Sequence, residues 1–113
     1  MINRVIFKSY DIRGIYPGEL NKEAAYQIGK AFVVFTGAKR VAIGHDARLS
    51  SPELYAALTE GIISQGADVH TIGQVPTECV YFAIMHLDVD AAMMITASHN
   101  PKEYNGVKMI KKA

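Results

Sequence analysis

The sequence predicts a three-layer α/β/α fold, with a mostly parallel mixed sheet of four to five strands and helices on both faces. Three observations predict it. Short apolar runs alternate with amphipathic stretches along the chain, the pattern of repeated strand–helix units. Ala91-Ala92-Met93-Met94-Ile95 is apolar without a break, as a strand covered on both faces should be. The stretches between the apolar runs carry helix start and stop signals in the right order.

Taken in turn, Val5-Ile6-Phe7 reads as a first strand. Asn21 can cap a helix with Glu23 in its first turn, and Ala25, Ile28, Phe32 and Phe35 follow at spacings of three and four, one apolar stripe. Gly37 offers the left-handed cap that ends it. Val41–Gly44 is a buried strand. Ser50 or Ser51 caps the next helix, with Pro52 in its first turn and Leu54, Leu58 and Ile62 on its apolar face; Gly66 ends it. Ala67–Ile72 is a third strand. Pro76 opens a third helix carrying Val80, Phe82, Ile84 and Leu87. Asp88-Val89-Asp90 reads as a turn into the Ala91–Ile95 strand, and Asn105–Ile110 is a fifth strand with Val107 and Met109 on one face.

The chain has 113 residues, half of them hydrophobic and 20% charged, so residues 1–113 make about one domain, with no repeat or linker inside it. Twelve basic against eleven acidic side chains leave a net charge of +1. That balance gives no electrostatic footprint for nucleic acid or an anionic membrane. The lone Cys79 cannot make an internal disulfide, and no run approaches the roughly 20 apolar residues of a membrane span. The first residues lack a signal-peptide core, so the expected location is cytoplasmic. The last strand is followed only by Lys111-Lys112-Ala113, which fits either a domain cut from something longer or an edge strand that closes the protein.

In open α/β sheets, ligands bind beyond the carboxyl ends of the strands. The polar clusters fall at those ends: Ser9–Gly14, His45–Ser51, Gly73–Thr77 and Thr96–Pro101. If the strands run parallel, these loops share a rim offering Arg13, Arg48, Ser98, His99 and Asn100, a set suited to an anion such as phosphate. Each residue also has an ordinary structural reading. Arg13 can be a surface ion pair, Asp46 and Arg48 can pair with each other or cap a helix, and Ser98 and Asn100-Pro101 can be turn residues. His45 and His99 can be structural or solvated, and the lysines near the end can be a solvated edge that discourages strand pairing. From the residues alone the reading is a phosphate-handling α/β domain.

A resemblance narrows this. Thr96-Ala97-Ser98-His99-Asn100-Pro101 resembles the phosphoserine loop of the α-D-phosphohexomutase superfamily. Tyr10-Asp11-Ile12-Arg13-Gly14 is similar to the N-terminal motif of its phosphomannomutase/phosphoglucomutase branch. Gly44–Ser51 resembles the family's Gly-x-Asp-x-Arg-x-Ser loop, and Tyr104-Asn105-Gly106-Val107-Lys108 its Asn-Gly-x-Lys strand. The motifs occur in family order and span most of the chain.

The resemblance implies that Ser98 carries a transferable phosphoryl group and, through it, offers oxygens to a metal, expected to be Mg²⁺. Lys108 would act beside it as an acid/base or charge-stabilising group, with His99 and Asn100 shaping the loop. Tyr10 and Arg13 would line the same phosphate or substrate site, with Arg48 supporting it. The implied enzyme is an isomerase moving phosphate between C1 and C6 of a mannose or glucose phosphate through a bisphosphorylated sugar. Family members have four domains, and the Asp-rich magnesium loop and the sugar-specificity loops lie beyond the first. The chain is therefore expected to resemble domain I, to need the remaining domains as partners, and to have little activity alone. A second reading, from a different class, is a receiver-like signalling domain phosphorylated on Asp46, which follows a strand; against it, only Asp11 offers an acid after the first strand.

Overall fold

The computed structural model describes residues 4–8, 11–97 and 100–112. After a short 3-10 turn, Arg4–Ile6, come β1 (Ile12–Ile15), α1 (Lys22–Thr36), β2 (Arg40–His45), α2 (Ser51–Ser64), β3 (Asp68–Gln74), α3 (Glu78–His86), β4 (Ala91–Ile95) and β5 (Tyr104–Lys111). The five strands form one sheet in the order β1-β5-β4-β2-β3. β2 pairs in parallel with β3 and β4, while β5 pairs antiparallel with β4 on one side and β1 on the other. Four strands therefore run one way and only β5 runs against them. This is the predicted mixed, mostly parallel sheet.

The side-chain alternation of the central strands divides the core in two. Val41, Ile43, Ala91, Met93, Ile95 and Val107 face α1 and α2, joining Ile28, Phe32, Leu54, Leu58 and Ile62. Ala42, Ala92 and Met94 face the other way, against Val80 and Ala83 of α3. Both faces of β2 and β4 are covered, so the unbroken apolar run of β4 is fully buried. α1 begins where Asn21 Oδ1 accepts from Ala24 N at 2.9 Å and ends at left-handed Gly37 (φ 69°). These are the predicted caps.

The helices that share a face touch backbone to backbone. A Cβ added to Gly29 would lie 2.4 Å from Leu58 O, and one added to Gly61 would lie 2.1 Å from Tyr26 O. Each glycine thus sits on the main chain of the opposite helix.

Several local expectations fail. Val5-Ile6-Phe7 does not form a strand; it lies in and after the 3-10 turn, where only Phe7 makes an isolated bridge, to Ile12. Ile6 is buried there by packing rather than by pairing. The first strand is Ile12–Ile15 instead, inside the segment expected to be a loop. Phe35 does not extend the buried stripe of α1. It is 91% exposed and, with Phe7 and Met109, lines an open groove of about 440 Å³; the helix buries Gly29 and Val33 instead. Phe82 of α3 and Met109 of β5 are likewise exposed. No helix among the described residues is long and apolar enough to cross a membrane.

Candidate functional site

The carboxyl ends of β2 and β4, the first half of β5 and the amino end of β1 meet at one rim, since Ile95 and Ile12 both pair with Val107 of β5; the Ser9–Gly14 cluster thus enters the site from before and within β1 rather than after the first strand. Two polar networks are built there.

The first is centred on Asp11, which is buried at 7% exposure. Its Oδ2 receives Arg13 Nη2 at 2.7 Å and lies 3.8 Å from Lys108 Nζ. Arg13 also donates through Nη1 to Asn100 Oδ1 at 2.6 Å. Strand register explains the convergence. Arg13 pairs directly with Gly106 across the β1–β5 ladder, and Lys108, two residues further along β5, projects from the same face. Gly106 is required there: a Cβ would meet Ile12 O at 2.2 Å and Thr96 O at 3.0 Å. The absent side chain lets the backbones of β1 and of the residue that follows β4 approach β5 closely.

The second network holds the segment after residue 99. Arg48 donates from Nη2 to Asn100 O (2.9 Å), and from Nη1 to Pro101 O (2.8 Å) and Tyr104 O (3.1 Å). Its Nε bonds Asp46 Oδ2 at 3.1 Å. Asp46 Oδ1 accepts from Ser51 Oγ at 2.6 Å and from Arg48 N at 3.1 Å. Buried Asn105 donates through Nδ2 to Ser50 Oγ and Ser51 Oγ, at 2.7 and 2.9 Å, while its Oδ1 accepts from Gly106 N. The planar guanidinium fork suits this multiple grip on carbonyls, which an ammonium could not copy. Ser50 occupies the N-cap position of α2 but makes no side-chain cap bond. The serine hydroxyls expected to cap the helix are used instead to bind Asp46 and Asn105.

Asn100 joins the two networks, since its side chain takes Arg13 and its carbonyl takes Arg48. Of the residues singled out in the sequence, Arg13, Arg48, Asn100 and Lys108 are brought together at the rim. Tyr10, Ser98 and His99 lie outside the described residues. Sequence reasoning missed Asp11 and Asn105 as members of the site. Asp11 was signalled by its place two residues before Arg13, which puts both side chains on one side of an extended chain. His45 stays structural, its ring against Tyr55 and its Nδ1 3.0 Å from Asp46 O.

Electrostatics fit these roles. Burial acts to raise the Asp46 carboxyl, but it is outweighed by hydrogen bonds from Ser51, the Arg48 N–H and Thr96 and by the Arg48 charge, so the group is held below its ordinary 3.8. A depressed carboxyl contributes stability that is present above its unfolded value and lost as pH falls through the folded one. Asp46→Asn is therefore expected to lower stability near neutral pH and to flatten its decline below about pH 4. Urea unfolding of both proteins at about pH 7 and about pH 3 checks this. The wild-type midpoint should fall further between the two pH values than that of the variant.

Asp46, the acceptor in the receiver-like reading, thus has both oxygens engaged. Among the described residues no three His, Cys, Asp or Glu side chains are grouped so as to hold a metal ion.

Comparison with known proteins identifies the architecture. The family model for "Phosphoglucomutase/phosphomannomutase, alpha/beta/alpha domain I" matches residues 4–113. A phosphomannomutase of Klebsiella pneumoniae is 45% identical over 111 residues, covering 98% of this chain and 71% of that protein. One from Escherichia coli is 45% identical over the same length, but there the match takes in 24% of the relative. The chain thus spans about a quarter of the E. coli protein. A phosphoglucomutase/phosphomannomutase family protein from Burkholderia thailandensis superposes with a TM-score of 0.91 at 42% identity, over 99% of this chain and 27% of that one. A putative phosphomannomutase from Thermus thermophilus superposes with a TM-score of 0.86 at 31% identity, over 94% and 25%. These matches leave the receiver-like reading without support: the chain belongs to the phosphoglucomutase/phosphomannomutase family and matches it as alpha/beta/alpha domain I.

Proposed function

We propose that this chain is the phosphoserine-carrying first domain of a phosphomannomutase/phosphoglucomutase that interconverts hexose 1-phosphate and hexose 6-phosphate. The observation that carries the reading is the convergence of Arg13, Lys108 and Asn100 on one rim, with Asn100 two positions after Ser98 in the chain. In the proposed cycle a hydroxyl of the bound hexose monophosphate attacks phosphorus on phospho-Ser98. The Oγ–P bond breaks as the sugar O–P bond forms, and the hydroxyl proton passes to a base at the site. The bisphosphorylated sugar reorients, and Ser98 takes back the other phosphoryl group. Charge spreads over the equatorial oxygens during each transfer, so positioned cations supply most of the help. Arg13, held from two sides, is the fixed fork. Lys108, on a flexible stem and only loosely paired, is the group that follows the phosphoryl or handles the proton. Tyr10 is proposed to line the site and His99 to shape the phosphate loop, and Arg48 supports the site by fixing the carbonyls of Asn100, Pro101 and Tyr104.

Mg²⁺ belongs to the proposed enzyme but not to a cage within this chain's described residues, which offer no ligand cluster for it. The phosphate of Ser98 is the one contact this chain is proposed to give; the remaining ligands and the sugar-choosing loops are assigned to the other domains. A cytoplasmic location belongs to the same proposal, supported by a lone free cysteine, Cys79.

Phosphate mapping tests the reading. After incubation with glucose 1,6-bisphosphate, the enzyme assembled with its remaining domains should gain one phosphoryl group, located on Ser98 by peptide mass spectrometry. No label, or label on Asp46, would overturn the proposal. The 113-residue chain alone should show negligible turnover in a coupled assay with mannose 1-phosphate or glucose 1-phosphate.

A further inference from the structure

We infer that Asp11 sets the charge of this anion site: it pins Arg13 and partly neutralises Lys108, so that a phosphoryl group is oriented without being trapped. The inference rests on the anion-site reading above and extends it to a residue with no role so far.

Three observations carry it. Asp11 is an acid placed where the proposed ligand is itself an anion, which a site built for affinity alone would avoid. Its contacts are unequal, 2.7 Å to Arg13 and 3.8 Å to Lys108, both through Oδ2. Its Oδ1 is buried with no hydrogen-bond partner among the described residues. A buried carboxylate oxygen without a partner is costly to keep. As a purely structural group Asp11 is therefore a poor choice, and an amide could hold Arg13 as well.

The physical consequence follows from counting charges. Arg13 and Lys108 together present +2, and Asp11 reduces this to +1. A phosphoryl group that must arrive and leave in both directions of a reversible transfer is better served by the smaller value, because uniform tight binding does not accelerate transfer. The close contact fixes the guanidinium geometry, while the long one leaves the ammonium free to move towards the ligand.

The test is an inorganic phosphate titration of the dephosphorylated chain, its state verified by intact mass, followed by phosphorus and side-chain nitrogen NMR. Wild type should bind weakly, with the Arg13 guanidinium resonance responding. Asp11→Asn keeps the size and removes the charge. A unit charge within about 4 Å, screened as in water, changes an equilibrium about fivefold, so the variant should bind phosphate at least about threefold tighter. In the assembled enzyme the same variant should lower kcat while KM for the hexose phosphate stays level or falls. Asp11→Ser removes the carboxylate without introducing an amide, and serves where Asp11→Asn does not fold. Phosphate affinity unchanged or weakened in a folded variant would overturn the inference while leaving the anion site intact. A wild-type chain in which Arg13 and Lys108 ignore phosphate would overturn both.

Discussion

Replacing Ser98 with alanine is expected to abolish phosphoryl transfer, with kcat down by at least about 10⁴-fold, the scale seen when a covalent nucleophile is removed. No neighbouring group can substitute, because the proposed cycle needs the same oxygen to give and then recover the phosphoryl group. The fold should be untouched. Among the described residues, the bonds that fix the segment from Asn100 onward come from Arg48 and Asn105. The measurement is a chimera in which this chain replaces the matching segment of the 45% identical E. coli phosphomannomutase, assayed with and without Ser98→Ala. Thermal unfolding of the chain alone is the companion control. Residual activity within about tenfold of the parent would place the phosphoryl carrier elsewhere.

The second large effect is structural. Gly61→Ala would drive a methyl group to 2.1 Å from Tyr26 O, with Lys30 N at 3.1 Å. These are backbone atoms and cannot rotate aside, so α1 and α2 must separate and loosen the packing of Ile28, Phe32, Leu58 and Ile62 beneath them. Overpacking of this kind costs about 1–3 kcal/mol, and backbone contact puts it at the upper end. Alanine returns about 1 kcal/mol of helix propensity. The expected balance is a loss of about 2 kcal/mol, or about 10 °C in Tm for a domain of this size. Circular dichroism melts of wild type, Gly61→Ala and Gly18→Ala decide it. Gly18 has nothing within 4 Å of an added Cβ and should tolerate the methyl group. A melting temperature unchanged in Gly61→Ala would mean that the helices are not in backbone contact.

What was legible in the sequence follows from the range over which each interaction acts. Asn21 and Gly37 announced α1 because a cap is decided within a few residues. The unbroken run of β4 announced itself because both of its faces are covered. The Ile12–Ile15 strand was hidden by its Arg and Gly, each there for a long-range reason: Arg13 reaches Asn100, and Gly14 lies where a Cβ would press on Ile6. Val5-Ile6-Phe7 has strand composition, but Val5 and Ile6 are taken up in the 3-10 turn and only Phe7 is left to bridge Ile12. Phe35 matched the helical spacing, yet lies beyond the part of α1 that the sheet covers. For the site, composition and spacing reached only a phosphate-binding rim; the specific roles came from resemblance. Asp11 and Asn105 escaped because their meaning depends on β5 lying between β1 and β4, a pairing that no local pattern encodes.

The reversed direction of β5 has a kinetic consequence. Since β4 and β5 are antiparallel neighbours, the segment joining Ile95 to Tyr104 closes a hairpin, so Asn100 and Lys108 are delivered by one short, local chain excursion. Such closure costs little entropy and forms early compared with crossovers through helices. Doubling the length of that excursion would add only about 0.6 kcal/mol of closure cost, so the ladder beneath it can keep its register, whereas the bonds that Arg13 and Arg48 make to Asn100 and Pro101 tie the functional loop to its present length.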